Sequence, residues 1–319
     1  MPIWLIMQIY LPIAEMSIDV IMLLILGGGV GFLSGMFGVG GGFMMTPLLI
    51  FIGVPPPVAV GTQANQLVAN SVSGVMAHLK RKAVDMKMGL VMLSGGFIGT
   101  LVGISLFRIL SVLGQIDLVI SLSYVITLSL IGGLMITESV RTIFRKGARK
   151  GSKKRHTVLH GLPWKMRFPQ SRLYISALLP GGIGFLAGLL NSVLGIGGGF
   201  FLIPAMIYLI GMPASLVAGT SLFQIMITTA ISTFLHAWTN QTVDVMLALI
   251  LLTGGVVGAQ YGSRVASKIP AEVSRALLAT ILLLVAAGLA RELVIEPDQI
   301  YSIEVAPASQ ARAALENGP

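Results

Sequence analysis

The sequence predicts an all-α polytopic membrane protein: two inverted repeats of about five segments each, each with a glycine-broken helix. Three observations lead there: the composition, an internal repeat and the placement of basic residues. Of 319 residues, 55% are hydrophobic and only 10% charged, and the mean hydropathy is +0.90. A soluble domain carries roughly 25% charged residues, so too little polar surface remains to cover a soluble fold. Apolar runs at 20–33, 175–190 and 277–289, with their flanks, approach the span of a bilayer, which takes about 20 residues as helix. The chain has no cysteine, which excludes disulfides and thiolate metal sites. No basic stretch precedes the first apolar run, and Glu15 and Asp19 flank it, so no secretory signal is expected.

The repeat is clearest in two strings, GVGGGFMMTP from Gly38 and GIGGGFFLIP from Gly195. In that register Gly27 and Gly31 fall on Gly184 and Gly188, Ser34 on Asn191, and Pro47 on Pro204. With one inserted residue, Gly61, Thr62, Gln66 and His78 fall on Gly219, Thr220, Gln224 and His236. With another, Asp85 meets Asp244, and Gly95, Gly96, Gly99 and Gly103 meet Gly254, Gly255, Gly258 and Gly262. Apolar helices resemble each other by chance, but an ordered coincidence of Gly, Pro, Thr, Gln, His and Asp marks a duplicated unit.

The chain divides accordingly into an N-terminal extension (1–17), a first transmembrane repeat (18–140), a basic cytoplasmic linker (141–173), a second transmembrane repeat (174–294) and a polar tail (295–319). The expected segments are 18–37, 43–54, 58–79, 86–107 and 117–140, then 174–194, 200–211, 216–238, 244–262 and 273–294. Eleven Lys and Arg residues crowd 141–172, and basic loops mark the cytoplasmic side. The basic loop 80–87 and the loop holding Arg264, Lys268 and Arg275 then share that side, while 236–244, with no Lys or Arg, lies opposite. Five crossings per unit satisfy this pattern, and an odd number inverts the second unit, as in many secondary transporters. Re-entrant segments at 43–54 and 200–211 are the competing arrangement. The net charge of +9 sits in membrane-flanking loops, so it signals anionic lipid at the linker and not nucleic acid.

The second segment of each unit is too short for a full helical crossing. An extended glycine stretch followed by a half-helix spans the core, and unpaired backbone at that depth survives only along a protein-walled cavity. Amides at the start of a helix attract anions, and glycine lets the ligand come close. The candidate substrate-binding residues are therefore Gly38, Gly40, Gly41 and Gly42 in the first break and Gly195, Gly197, Gly198 and Gly199 in the second. The alternative role of glycines, as packing notches between membrane helices, is the preferred reading for Gly99, Gly103, Gly258 and Gly262. No Walker lysine or βαβ context accompanies the strings.

Polar side chains inside spans face a cavity or another helix. Thr62, Gln66, Asn191, Thr220 and Gln224 are accordingly candidate substrate contacts, with interhelical hydrogen bonding as the other use of the two glutamines. His78 and His236 end the third segments and are candidates either for proton coupling or for interfacial side chains. No metal site and no cofactor is expected. The chain is not expected to be an enzyme, because it has no cysteine, no buried carboxylate pair and only separated histidines. The partners expected are a small anionic substrate, anionic lipid and, optionally, a second copy in a homodimer.

These stretches resemble the TauE/SafE sulfite exporter family, also called the 4-toluene sulfonate uptake permease family. The resemblance rests on GFLSGMFGVGGGFMMTPLLIFIGVPPPVAVGTQ, on GFLAGLLNSVLGIGGGFFLIPAMIYLIGMPASLVAGTS and on GAQYGSRVASKIP, and covers about residues 18–294. It implies transport of sulfur-containing anions such as sulfite and organosulfonates across bacterial inner membranes. An anion channel, or a membrane assembly or scaffold protein without transport, is the alternative.

Overall fold

A computed structural model describes residues 8–37, 42–144, 163–266 and 271–294. Each half opens with a two-stranded antiparallel hairpin. In the first, β1 (Gln8–Leu11) pairs with β2 (Met16–Asp19); in the second, β3 (Lys165–Phe168) pairs with β4 (Leu173–Ser176). The hairpins keep the register of the glycine strings, so Pro12 matches Pro169 at the start of each four-residue loop. Glu15 and Arg172 match at its end, where both residues adopt left-handed backbone (φ +54° and +53°). The sequence alone assigns these stretches to an extension and a linker. Residues 145–162 of that linker and the tail 295–319 lie outside the described residues.

The helices of the first half are α1 (Val20–Phe37), α2 (Gly42–Phe51), α3 (Pro56–Lys80), α4 (Met86–Val112) and α5 (Ile116–Phe144). Those of the second are α6 (Leu178–Leu194), α7 (Gly199–Ala205), α8 (Ala214–Leu235), α9 (Val245–Ala266) and α10 (Ala271–Val294). A π-helical turn extends α7 over Met206–Ile210, and another extends α8 over His236–Asn240. Among the described residues, five helices are long and apolar enough to cross a membrane. Many large apolar side chains point outward, Ile25, Phe97, Leu130 and Leu284 among them, as lipid contact requires.

The halves interlock by exchanging partners: α1 packs along α9, α4 along α6, α3 against α8, and α5 against α10. Glycine notches set the first two pairs. A Cβ on Gly31 would lie 2.2 Å from the Gly255 carbonyl oxygen, and one on Gly258 would lie 2.0 Å from that of Gly28. In α4 and α6 the equivalent approaches are Gly99 to Phe185 and Gly188 to Gly96, at 2.0 and 2.1 Å. Partner numbers rise together along both helices of each pair, so the pairs run parallel. Gly99, Gly103, Gly258 and Gly262 are thus packing notches, since backbone faces each of them.

The direction of each half follows from α3. Near its start, the Thr62 hydroxyl meets the backbone of Asp244 beside the first hairpin; five residues past its end stands Asp85, bonded to the second hairpin. Its 25 residues rise about 37 Å at 1.5 Å each. The two hairpins therefore cap opposite ends of the molecule, and α1 and α6, which leave them, start from opposite faces.

Candidate functional site

The second break is built from three left-handed glycines: Gly195, Gly197 and Gly198 have φ of +69°, +74° and +72°. A side chain at any of them would strain the backbone, which is why the string is glycine and the lone bulky residue is Ile196. Asn191 organises the turn. Its backbone oxygen accepts from the Gly195 N–H at 2.7 Å, and its Oδ1 accepts from the Gly197 N–H at 2.8 Å. Two further carbonyls at the end of α6 are occupied as well. The Tyr124 hydroxyl donates to the Leu194 oxygen, and His236 Nε2 lies 2.9 Å from the Ser192 oxygen. Asn240 Nδ2 lies 3.1 Å from His236 Nδ1, an arrangement that fits the ring as neutral with its proton on Nε2.

What remains at the break is donor character. The N–H groups of Gly198 and Gly199 have no partner among the described residues, and neither does Asn191 Nδ2. They sit at the start of α7, the electropositive end of a helix. An anion is the ligand such a surface can hold, with recognition by backbone and one carboxamide. Among the described residues, no cluster of His, Asp or Glu could hold a metal.

Gly42, at the end of the first glycine string, meets the second break. Gly42 starts α2, and a Cβ on it would lie 2.8 Å from the Ile196 oxygen. Gly38, Gly40 and Gly41 lie outside the described residues. Leu67 is wedged between the breaks: its Cδ1 would be 2.7 Å from a Cβ on Gly42 and 2.8 Å from one on Gly197. Ile225, which follows Gln224 as Leu67 follows Gln66, approaches Gly197 from α8. Leu67 stands at the middle of α3, so Gly42 and the second break meet at mid-height. Residues 195–199 are all buried.

The other expected contacts have structural work assigned to them. Gln66 Nε2 donates to the Leu251 oxygen at 3.1 Å, across the α1–α9 notch, and Gln224 Nε2 reaches the Gly184 oxygen at 3.5 Å, across the α4–α6 notch. Both Oε1 atoms are buried without a partner among the described residues. Thr62 and Thr220 accept from the backbone N–H of Asp244 and Asp85 at 3.0 and 2.9 Å. Ser192 donates to the Gly188 oxygen.

The two histidines are not equivalent. His236 is fully buried with both ring nitrogens engaged and Phe107 edge-on at 4.7 Å, which corrects its reading as an interfacial side chain. His78 is half-buried, and its Nδ1 has no partner among the described residues. Sequence reasoning missed Tyr124, Leu67 and Ile225. Tyr124 could have been noticed as a hydroxyl in an apolar helix, whereas nothing distinguishes Leu67 from its neighbours before the fold is known.

Comparison with known proteins agrees with the glycine motifs. The family model of the sulfite exporter TauE/SafE matches residues 23–289. The probable membrane transporter protein YunE of Bacillus subtilis is 26% identical over 280 residues, covering 85% of this chain and 97% of its own. YjnA of the same organism, with the same description, is 29% identical over 274 residues, covering 84% and 97%. A probable membrane transporter protein of Xylella fastidiosa is 28% identical over 247 residues, covering 77% and 84%. No solved structure matches the chain.

Proposed function

Since this chain belongs to the TauE/SafE family and is a multi-pass membrane transporter, we propose that it is a secondary carrier of small sulfur-containing anions, such as sulfite or organosulfonates, in the bacterial inner membrane. The anion is held by backbone amides of the two glycine breaks at the meeting point of two halves of opposite direction. One observation carries this reading: at the second break the carbonyls of Asn191, Ser192 and Leu194 are all occupied, while the amides of Gly198 and Gly199 are left over. A hydrogen bond to a charged group contributes roughly 1.5–3 kcal/mol, so two or three suffice for a weakly bound cargo. The burial of the break and the Leu67 wedge favour a carrier over an open channel.

Purified protein in proteoliposomes tests the reading. Uptake of sulfite or methanesulfonate should saturate and should accelerate when the same anion is preloaded inside. A linear, non-saturating flux would indicate a channel, and no flux of any such anion would remove the proposal. Leu67→Ala should raise uptake of bulky benzenesulfonate relative to sulfite severalfold, because the wedge limits the room beside the amides. An unchanged ratio in folded protein would show that Leu67 does not bound the site.

Topology follows from the same reading. Reporter fusions after Asp85 and after Asp244 should report opposite compartments, with Asp85 on the cytoplasmic side beside the basic loop 80–87. Reports from a single compartment would rule out halves of opposite direction.

A further inference from the structure

Two buried aspartates, one on each face, join the halves in the same way. Asp85 is 1% exposed and Asp244 0%. Each caps the helix it precedes: Asp85 Oδ1 accepts from Met88 N–H and Asp244 Oδ1 from Leu247 N–H, both at 3.1 Å. A cap needs no more than that. Yet the second oxygen of each reaches a hairpin of the other half. Asp244 Oδ2 accepts from the Ile13 N–H at 3.2 Å, and Asp85 Oδ2 accepts from the Ser171 N–H at 3.1 Å and from its hydroxyl. The backbone N–H of each aspartate also donates to a threonine hydroxyl of the other half, Thr220 for Asp85 and Thr62 for Asp244. On each face, then, one aspartate ties together its own helix start and the opposite hairpin through its carboxylate, and the opposite third helix through its backbone N–H. Those bonds cross the seam between the halves on both faces at once.

We propose that Asp85 and Asp244 are the two gate latches of the transport cycle, each closing access to the glycine breaks from its own face. A carrier whose site lies between two halves must open one face at a time. The hairpins sit at the starts of α1 and α6, so releasing one frees the lead into a broken helix from the partner half. Both latches are closed together here, with the break buried between them. The inference rests on the chain being a transporter, and does not require the anion to bind the glycine amides.

The natural absence of cysteine makes the test direct. Leu67→Cys places a single thiol at mid-height between the breaks, and a membrane-impermeant thiol reagent is applied from one side of oriented vesicles at a time. Asp85→Asn puts a carboxamide among the donors of Met88 and Ser171. It should raise labelling from the second-hairpin face about tenfold, equivalent to about 1.4 kcal/mol, without raising it from the other. Asp244→Asn should do the reverse. Where an Asn variant fails to fold, Thr220→Val and Thr62→Val loosen the same two latches more gently and should show the same opposite sidedness. Labelling that rises equally from both faces, or stays unchanged in folded variants, overturns the proposal. The readout uses no substrate, so it stands apart from any failure to find the transported anion.

Discussion

Gly198→Leu is expected to abolish anion binding while the protein still inserts and purifies. Gly198 has φ +72°, and a Cβ there would lie 3.2 Å from the Ala187 Cβ. A single methyl fits with a small shift, but a left-handed L-residue costs about 1–2 kcal/mol. Relief of that strain would rotate the peptide whose N–H is proposed to hold the anion. Gly198→Ala should therefore weaken binding about tenfold, the factor that matches about 1.4 kcal/mol. The leucine side chain adds bulk where the ligand must approach the backbone and removes binding altogether. Binding of sulfite to detergent-purified, monodisperse variants, measured by calorimetry, is the check. Wild-type affinity in Gly198→Leu would mean that the anion does not meet this break. Its counterpart Gly41, outside the described residues, is expected to behave in the same way.

Gly258→Ala and Gly188→Ala should show the opposite pattern, a lost fold from one added methyl group. Their Cβ atoms would lie 2.0 Å from the Gly28 oxygen and 2.1 Å from the Gly96 oxygen. Both obstacles are backbone, so no side chain can turn aside and the helix axes must separate. Interiors are packed densely enough that such a shift propagates. Overpacking by a methylene typically costs 1–3 kcal/mol, with higher costs on record, and a backbone clash on a four-residue repeat belongs at or above the top of that range. Loss of monodisperse protein and a lower thermal midpoint are the readouts. Gly29→Ala and Gly133→Ala, with nothing within 4 Å of the added atom, are the matched controls and should leave stability unchanged or slightly raised, because alanine favours helix by about 1 kcal/mol over glycine. If all four variants behave alike, close packing is not what these glycines provide.

The two substitutions separate kinds of glycine that the sequence writes identically. Both occur in apolar stretches and both recur in the repeat. Position decides between them: Gly258 is inside a helix with a partner backbone against it, whereas Gly198 stands in a turn that only glycine adopts easily.

The sequence by itself determined the medium, the duplicated motifs, the second helix break and the notch glycines, because each is written in composition or spacing that no fold is needed to read. The positions of Lys and Arg predict halves of opposite direction, which the reporter fusions test. Only the tertiary structure decided the rest. Strands as short as 8–11 and 165–168 carry too few side chains to signal themselves, and the hairpins emerge when their tips reach Asp244 and Asp85. Pairing of α1 with α9 and of α4 with α6 follows from complementary notches on helices far apart in the chain. Which polar atoms are left over for a ligand is also a property of the assembled fold. Thr62 and Thr220 are engaged by the aspartates, Asn191 ties the glycine turn, and Tyr124 and His236 cover the Leu194 and Ser192 carbonyls of α6. Which donors keep no partner is set by neighbours brought together in three dimensions.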